Sequence, residues 1–493
     1  MFPTVHKGTH RPASNPLLTA SMMAIGAQYI YEPFARGDSK ILHGKCLELI
    51  AKYKDVLSTG TRQDYMQAVF LVEVFAQFKA KRSPTHLSDV FLSMYASLWK
   101  FHSNTGRSYI ESLNQSQPLL NGARLKSRWA EWTAATGFAR LLSACFIFET
   151  IQALSLARTL QSTPASGLEL IVPCPAAIWD APDHESWQQA METNHFEIMD
   201  VSEALERTDA GVASSLQPET FHSMILLACQ AASVLYQKQE LQQTPFVAPP
   251  PTHPAFDASN VATIAQSLCA DANVSIMYNF IHLVAHTPVR AILATSGESW
   301  VLCQRLSQEA LIAAAEFTTL KTKMRQWTET AGTGFFQNAS DDNVRSAVQH
   351  ALTILRLTCD IPPASLAFGA DMALYHACLV LWAITFGATS RAVASGIELK
   401  HDDGKLFDAL HAQRSVKSFC DFASTILSKG PMDEIVLAEN VQEWASYIQT
   451  VLQWAGWTLG GNDVSNAALG ELMQNAIGVL GRLANRGLEG DWF

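Results

Sequence analysis

The chain has 493 residues, of which 48% are hydrophobic and only 16% are charged. This composition excludes an intrinsically disordered chain, which requires low hydrophobicity and high charge. The net charge of −10 repels phosphate backbones, so we expect no direct binding of DNA by this chain.

Helical patterns follow one another along the chain. Asn15 and Pro16 place a capping residue before proline at the first helical position, which predicts a helix start. In later segments apolar residues recur at steps of three and four, as in Val69, Val72 and Phe75. Only 168–172 resembles a strand, so the predicted fold class is all-α, a large multi-helix bundle. We predict helices over roughly 17–31, 39–57, 61–81, 87–103, 128–160, 184–207, 218–242, 258–286, 288–328, 341–357, 370–399, 405–428, 432–456 and 464–487.

A proline-rich stretch divides the predicted helices into two subdomains. Residues 244–254 contain five prolines, and each proline fixes φ and removes a backbone donor. We therefore predict an N-terminal helical half over 1–243, an extended linker over 244–256 and a C-terminal helical half over 257–493.

Cysteine usage and hydropathy indicate the environment of the chain. The nine cysteines contain no C-x-x-C pair, so reduced thiols inside a cell fit better than a zinc cluster or a disulfide framework. The N-terminal residues have no apolar stretch typical of a secretory signal. The uncharged stretch 372–390 is interrupted by His376 and Gly387, which favours a buried core helix over a membrane span.

Two patterns offer metal ligands. His282 and His286 stand four residues apart on a predicted helix, which places both imidazoles on one face. The sequence suggests no third ligand nearby, so packing near the helix end is the favoured interpretation. Residues 341–343 and 462–471 are similar to the paired acidic motifs of terpene cyclases, but Arg345 stands where a distal acid is expected. We expect no metal, no cofactor and no catalytic residue, and no zinc on elemental analysis.

The segment 129–149 predicts a core helix with large aromatic anchors. Trp129 and Trp132 share one face of that helix. An extended segment over 170–175 follows, stopped by two prolines, and then a short helix carries Trp179.

In combination these residues resemble the fungal-specific transcription factor domain, the middle homology region of fungal regulators. The chain opening is also similar to that domain, and Thr136 and Ala139 depart from it, since family members usually carry glutamate and often arginine there. The resemblance extends strongly over 1–190 and more loosely beyond 260. The motif residues are Trp129, Trp132, Arg140, Leu141, Phe146, Glu149, Pro173, Cys174, Pro175, Trp179 and Trp187.

The resemblance implies a helical regulatory region of a transcription regulator, acting in the nucleus (or in the cytoplasm) and, as a regulator, in secondary metabolism. Implied partners are the transcription machinery or a DNA-binding regulator, a small apolar ligand, and a second copy in a homodimer. Family members usually carry a zinc DNA-binding module before this region. Because Met1 falls almost on the first motif, we expect that module to be absent here.

A second hypothesis belongs to another class. The regulatory fold could be reused as an enzyme, such as a cofactor-free cyclase or isomerase acting on a hydrophobic metabolite. Such an enzyme needs only a shaped apolar pocket and one or two polar groups that orient the substrate.

Overall fold

The structure is a computed structural model of the full chain. It describes residues 3–10, 12, 15–30, 32, 34–52, 62–84, 86–114, 122–161, 167–194, 196–209, 219–243, 271–298, 310–329, 340–362, 366, 368–394, 396, 408–429, 441–460, 469–486 and 488. The predicted linker over 244–256 lies outside these residues, and its assignment stays a prediction.

The described chain is helical throughout, which confirms the all-α prediction. A π-helical turn, His102–Gly106, joins the helices Asp89–Phe101 and Arg107–Asn114. The one pairing of extended chain among the described residues is an isolated antiparallel bridge between Ile171 and Asp200. The α-helices are α1 (Pro16–Ala27), α2 (Ala35–Lys52), α3 (Gln63–Phe78), α4 (Asp89–Phe101), α5 (Arg107–Asn114), α6 (Gly122–Ser155), α7 (Ala176–Trp179), α8 (His184–Thr193), α9 (Val201–Asp209), α10 (Thr220–Gln243), α11 (Ala272–His286), α12 (Val289–Ser296), α13 (Ala310–Glu329), α14 (Ser340–Cys359), α15 (Ala370–Ala394), α16 (Ala409–Lys429), α17 (Val441–Gly460) and α18 (Glu471–Arg486).

Capping explains the first helix start. The side chain of Asn15 accepts a hydrogen bond from the Leu18 N–H at 2.9 Å, and Pro16 occupies the first turn, where its missing N–H costs nothing. The predicted start of α1 is therefore confirmed.

The prediction of one helix over 184–207 is wrong, because this run divides into α8 and α9. Asn194 ends α8 in an extended conformation. The following residues pair with the extended segment before α7, through Val172 N–H to Met199 O and Val201 N–H to Leu170 O, both at 2.9 Å. A long-range backbone pairing thus overrides the local helical pattern.

The chain forms two compact units. Unit 1 comprises Met1–Ala80, His86–Ile151 and Thr159–Val274, and unit 2 comprises Lys81–Thr85, Gln152–Arg158 and Ser275–Phe493. In unit 1, α1 packs against α2 and α3, and α3 packs against α4.

Unit 2 is built around α15. Every residue from Ala370 to Phe386 is buried, as expected of a helix that is apolar all round. Helices α12, α13, α14, α17 and α18 pack against it, and α16 packs against α14 and α17. At Gly387 an added Cβ would lie 2.8 Å from the side chain of Thr328, so glycine permits the close approach of α13.

Among the described residues, two helices are long and apolar enough to cross a membrane. They are Gly122–Ser155 and Ala370–Ala394, and 83% and 94% of their most apolar stretches are buried inside the protein. Core helices pass the same test, so the prediction that 372–390 is a buried core helix is confirmed.

Candidate functional site

The family-motif residues of α6 all face the interior of unit 1. Trp132, Arg140, Leu141, Phe146 and Glu149 are each at most 2% exposed. Trp129 is buried as well, at 8% exposure. The segment 129–149 is therefore part of a buried core helix with aromatic anchors, as predicted.

Four tryptophans form a cluster that we call the tryptophan cluster: Trp129, Trp132, Trp179 and Trp187. The ring centroid of Trp132 lies 6.4 Å from that of Trp179 and 5.3 Å from that of Trp187. Such aromatic pairs contribute about 0.5–1.5 kcal/mol each beyond the area that they bury. The cluster packs α6 against α7 and α8.

Arg140 is a fully buried cation beside this cluster. Its guanidinium carbon lies 4.6 Å from the ring centroid of Trp179 and 5.5 Å from that of Phe221. Its Nη2 donates to the backbone oxygen of Cys174 at 2.5 Å. The charge is thus held by aromatic faces and a carbonyl oxygen, which suits the planar guanidinium better than an ammonium group.

The Pro173-Cys174-Pro175 segment is held from several sides. His222 Nε2 lies 2.8 Å from the Pro173 oxygen, and the carboxylate of Glu219 accepts from the Ala176 N–H at 2.9 Å, at the start of α7. Neither proline has an N–H, so neither can extend the bridge formed at Ile171 into a strand. The segment therefore positions Trp179 over Arg140.

The far end of the α6 motif shapes the loop that follows the helix. Glu149 accepts a hydrogen bond from the Gln161 N–H at 2.7 Å. Gly167 has φ of +63°, and a Cβ on it would lie 2.3 Å from Cζ of Phe146. Only glycine satisfies both the left-handed backbone and the close approach of the ring.

Thr136 and Ala139, the two departures from the family pattern, lie about one turn apart on α6. Thr136 is 4% exposed, and Ala139 packs against the tryptophan cluster. An ionised side chain at either position would need a buried partner, so a small side chain suits this core.

A polar cavity of about 180 Å³ adjoins the tryptophan cluster. Its lining includes His6, Asn15, Asp64, Gln67 and Trp179. They come from the N-terminal segment, the start of α1, the start of α3 and the end of α7. No spacing in the sequence links these four segments, so the cavity was not predicted.

His6 is one of the residues that line this cavity. Its Nδ1 accepts from the Thr9 N–H at 3.2 Å, so the ring proton is on Nε2. Nε2 is buried and faces the backbone oxygens of Trp179 and Ala181 without a hydrogen bond of good geometry to any described residue. The ring packs edge-on against Trp129 and Trp179, with centroids 5.6 and 5.0 Å away. Burial lowers the pKa of His6, although the nearby carbonyl of Trp179 acts in the opposite direction. The ring is therefore neutral at pH 7.

Asp64 contributes a negative charge to the cavity. Burial raises the pKa of this carboxyl, but the hydrogen-bonded Arg62 guanidinium and the nearby amide of Asn15 outweigh burial and hold the pKa below its usual value. Arg62 Nη2 lies 2.7 Å from Asp64 Oδ2. The carboxylate is thus ionised at neutral pH and fixed in orientation.

The buried thiols are poor nucleophiles. Burial raises the pKa of Cys174, and it raises the pKa of Cys229 to about 12. Cys359 and Cys420 have their pKa raised to about 12 for the same reason. Because the thiolate is the reactive form, these residues offer no activated thiol.

Of the two predicted metal-ligand patterns, the histidine pair is fully described by the structure and the acidic pair only in part. His282 and His286 lie together on α11, and α14 brings His350 beside them. The side chains of residues 341 and 342, and all of 461–468, lie outside the described residues. Glu471 accepts from the Ser83 N–H at 2.7 Å and so serves as a backbone partner.

The fold and the site together define a class of protein: an all-helical domain whose tryptophan-rich core encloses one buried arginine. The chain belongs to the family described as the fungal specific transcription factor domain, whose sequence profile matches residues 1–247. The predicted resemblance is confirmed.

The chain is also similar to zinc finger protein klf1 of Schizosaccharomyces pombe (strain 972 / ATCC 24843). The two are 21% identical over 195 residues, which are 39% of this chain and 24% of that relative. The match therefore spans only a minor part of the relative's length. No solved structure matches this chain.

Proposed function

We propose that this chain is the regulatory region of a fungal transcription regulator acting in the nucleus, and that a small polar molecule in the His6 cavity controls it. Family membership over residues 1–247 supports the regulatory role. The observation that carries the sensing role is the polar cavity itself, whose lining includes His6 and the ionised carboxylate of Asp64.

A ligand in the cavity would contact several elements of unit 1 at once. A molecule bound there would link His6 on the N-terminal segment, Asn15 at the start of α1, Gln67 on α3 and Trp179 on α7. Gln67 already donates to the Thr4 oxygen, so α3 and the N-terminal segment are connected at this place. A ligand that bridges these elements stabilises the arrangement in which they are close.

The cavity lining defines the class of ligand. The neutral ring of His6 and the Asp64 carboxylate both line the cavity, and the carboxylate favours a hydrogen-bond donor or a positive charge. The volume is about that of six waters at about 30 Å³ each. We therefore propose a small amine- or amide-bearing metabolite here; the apolar ligand expected from the sequence stays a prediction.

A tethered reporter tests the regulatory role. The full chain is fused to a heterologous DNA-binding domain in a fungal host, and transcription from a reporter carrying its operator is measured. We expect reporter output to change at least about fivefold relative to the DNA-binding domain alone, a coupling of about 1 kcal/mol. An unchanged output from a chain that accumulates in the nucleus would contradict the proposal.

Two matched variants test the sensing role. His6→Leu removes the polar ring from the cavity lining at similar size, and His411→Leu makes the same change at an exposed position of unit 2. We expect the first to abolish the response of the reporter to nutrient conditions and the second to leave it intact. Equal responses would remove the cavity from the mechanism while leaving the regulatory role standing.

The remaining predicted partners are tested with the same chain. Light scattering reports whether it forms a homodimer, and affinity capture of the tethered chain reports contacts with the transcription machinery. Transcript profiling after deletion of the gene tests the expected targets in secondary metabolism. The raised pKa values of Cys174 and Cys229 speak against thiol catalysis, and no described observation favours the enzyme hypothesis.

A further inference from the structure

Three histidines of unit 2 converge between two helices. His282 and His286 stand one turn apart on α11, and His350 faces them from α14. One ring nitrogen from each lies within 4.8 Å of the other two. All three side chains are half-buried, so solvent reaches the cluster. Tyr278 closes one side, with its ring centroid 4.5 Å from that of His282.

Asparagine side chains fix the proton on two of these rings. His350 Nδ1 donates to Asn279 Oδ1 at 2.8 Å, and the amide of Asn279 in turn donates to the Ser275 oxygen at 2.8 Å. This second bond determines which end of the Asn279 amide faces His350. His286 Nδ1 donates to Asn343 Oδ1 at 2.8 Å. In both rings the proton is therefore on Nδ1, and Nε2 carries a lone pair.

Ring contacts hold the three histidines close together. His350 is stacked on both His282 and His286, at centroid distances of 5.0 and 6.2 Å.

We propose that His282, His286 and His350 bind one divalent transition-metal ion, Zn²⁺ in particular, and so join α11 to α14. Neutral imidazole is a ligand that Zn²⁺ prefers, and three protein ligands leave a fourth tetrahedral position for water. Hydrogen bonds from ligating histidines to Asn279 and Asn343 are the supports that such sites use. Binding requires the three nitrogens to close to about 3.3 Å, the separation set by Zn–N distances of about 2.0 Å.

This site goes beyond the sequence prediction of no metal, which depended on the lack of a third ligand near His282 and His286. His350 lies far along the chain and becomes a neighbour only through the packing of α14 on α11. Because the site lies in unit 2, it is independent of the His6 cavity in unit 1, and each proposal can fail alone.

Calorimetric titration of ZnCl₂ into the full chain, stripped of metal by a chelator, tests the proposal. We expect one Zn²⁺ per chain at high affinity. His350→Gln should weaken binding more than about 100-fold, since hydrogen-bond partners of ligating histidines alone contribute about 10- to 100-fold. Asn343→Leu should weaken it by about 10-fold or more for the same reason. His411→Gln, an exposed histidine outside the cluster, serves as the matched control and should leave binding unchanged.

Absorption of the Co²⁺-loaded wild-type chain gives a measurement that does not depend on any variant. Tetrahedral Co²⁺ with nitrogen and water ligands gives visible d–d bands, and Zn²⁺ should displace them. The proposal is overturned if the wild-type chain takes up no Zn²⁺ at 100-fold molar excess, if His350→Gln and His282→Gln bind as tightly as the wild type, or if the Co²⁺ spectrum is octahedral.

Discussion

Because the guanidinium of Arg140 is buried, the loss of unfolding free energy on replacing this residue can be predicted from its contacts. Arg140→Ala leaves the Cys174 oxygen without its donor and removes the packing on Trp179 and Phe221. We expect unit 1 to lose about 3 kcal/mol of unfolding free energy, because an unsatisfied buried group and a cavity are created together. Hydrogen exchange of the amides in 170–179 measures this loss locally.

Two controls separate the causes. Arg140→Lys keeps the charge but not the planar stacking, so it should cost roughly 2 kcal/mol. Arg207→Ala breaks an exposed ion pair with Glu197 and should have much less effect, because solvent screens exposed ion pairs. If Arg140→Ala exchanges no faster than Arg207→Ala, the guanidinium does not stabilise the tryptophan cluster.

Gly167 offers a prediction about backbone conformation. Gly167→Ala places a Cβ into the ring of Phe146 and at a φ of +63°, so we expect destabilisation by about 2–4 kcal/mol. Gly396 has φ of +84° with nothing within 4 Å of its Cβ position. Gly396→Ala should therefore cost only about 1 kcal/mol, the strain alone. Thermal unfolding of the full chain compares the two variants. Equal shifts in melting temperature would show that the ring of Phe146 moves aside without a cost in free energy.

At the scale of elements, α15 and α17 are joined by a buried hydrogen bond. Trp444 Nε1 donates to Thr385 Oγ1 at 2.9 Å, and that hydroxyl donates to the Leu381 oxygen at 2.7 Å. Thr385→Val leaves the indole N–H buried without an acceptor, and we expect a loss of about 1–3 kcal/mol in urea unfolding.

The same helix supplies the control for this change. Among the described residues, the Thr389 hydroxyl donates to the Phe386 carbonyl and accepts no hydrogen bond, so Thr389→Val should cost less than about 1 kcal/mol. In a Trp444→Phe background the cost of Thr385→Val should also fall. If that cost is the same in both backgrounds, the two side chains are not coupled.

Local sequence patterns predicted some helices correctly and one wrongly. The apolar run of α15 and the cap at Asn15 are local signals, and both predictions are confirmed. The run 184–207 has a local helical pattern as well, but backbone pairing with 170–172 divides it. Local periodicity cannot report a hydrogen bond to a distant segment.

For the whole molecule, buried neutral histidines make stability depend on pH. His376 is fully buried, donates Nε2–H to the Ser155 oxygen at 2.8 Å, and has its pKa lowered by burial to about 4. The unfolded chain takes up this proton near pH 6.5, before the folded chain does. Stability is therefore complete above about pH 6.5 and is lost as the pH falls towards 4, by roughly 3 kcal/mol for this residue.

Urea unfolding at pH 7, 5.5 and 4 in the presence of a chelator measures this loss. His376→Gln should flatten the pH dependence, and His411→Gln, at an exposed position, should not. An identical slope in His376→Gln would show that His376 does not titrate with folding.

The low charged fraction of the whole chain has a structural cause. Helices such as α15 and the inner part of α6 are buried on all sides and leave few positions for charge. The buried polar groups that remain are largely held by hydrogen bonds, as for Thr385 and His376. A low charged fraction is thus what helices buried on all sides require.

The sequence by itself determined the all-α fold class, the buried helices and the family, because periodicity, capping residues and motif order are local properties of the chain. The tertiary structure decided what those residues do. It placed Trp179 over Arg140, closed a cavity around His6, and brought His350 to His282 and His286. Each of these joins segments far apart in sequence, and their proximity is set by the packing of whole helices, which no local spacing encodes.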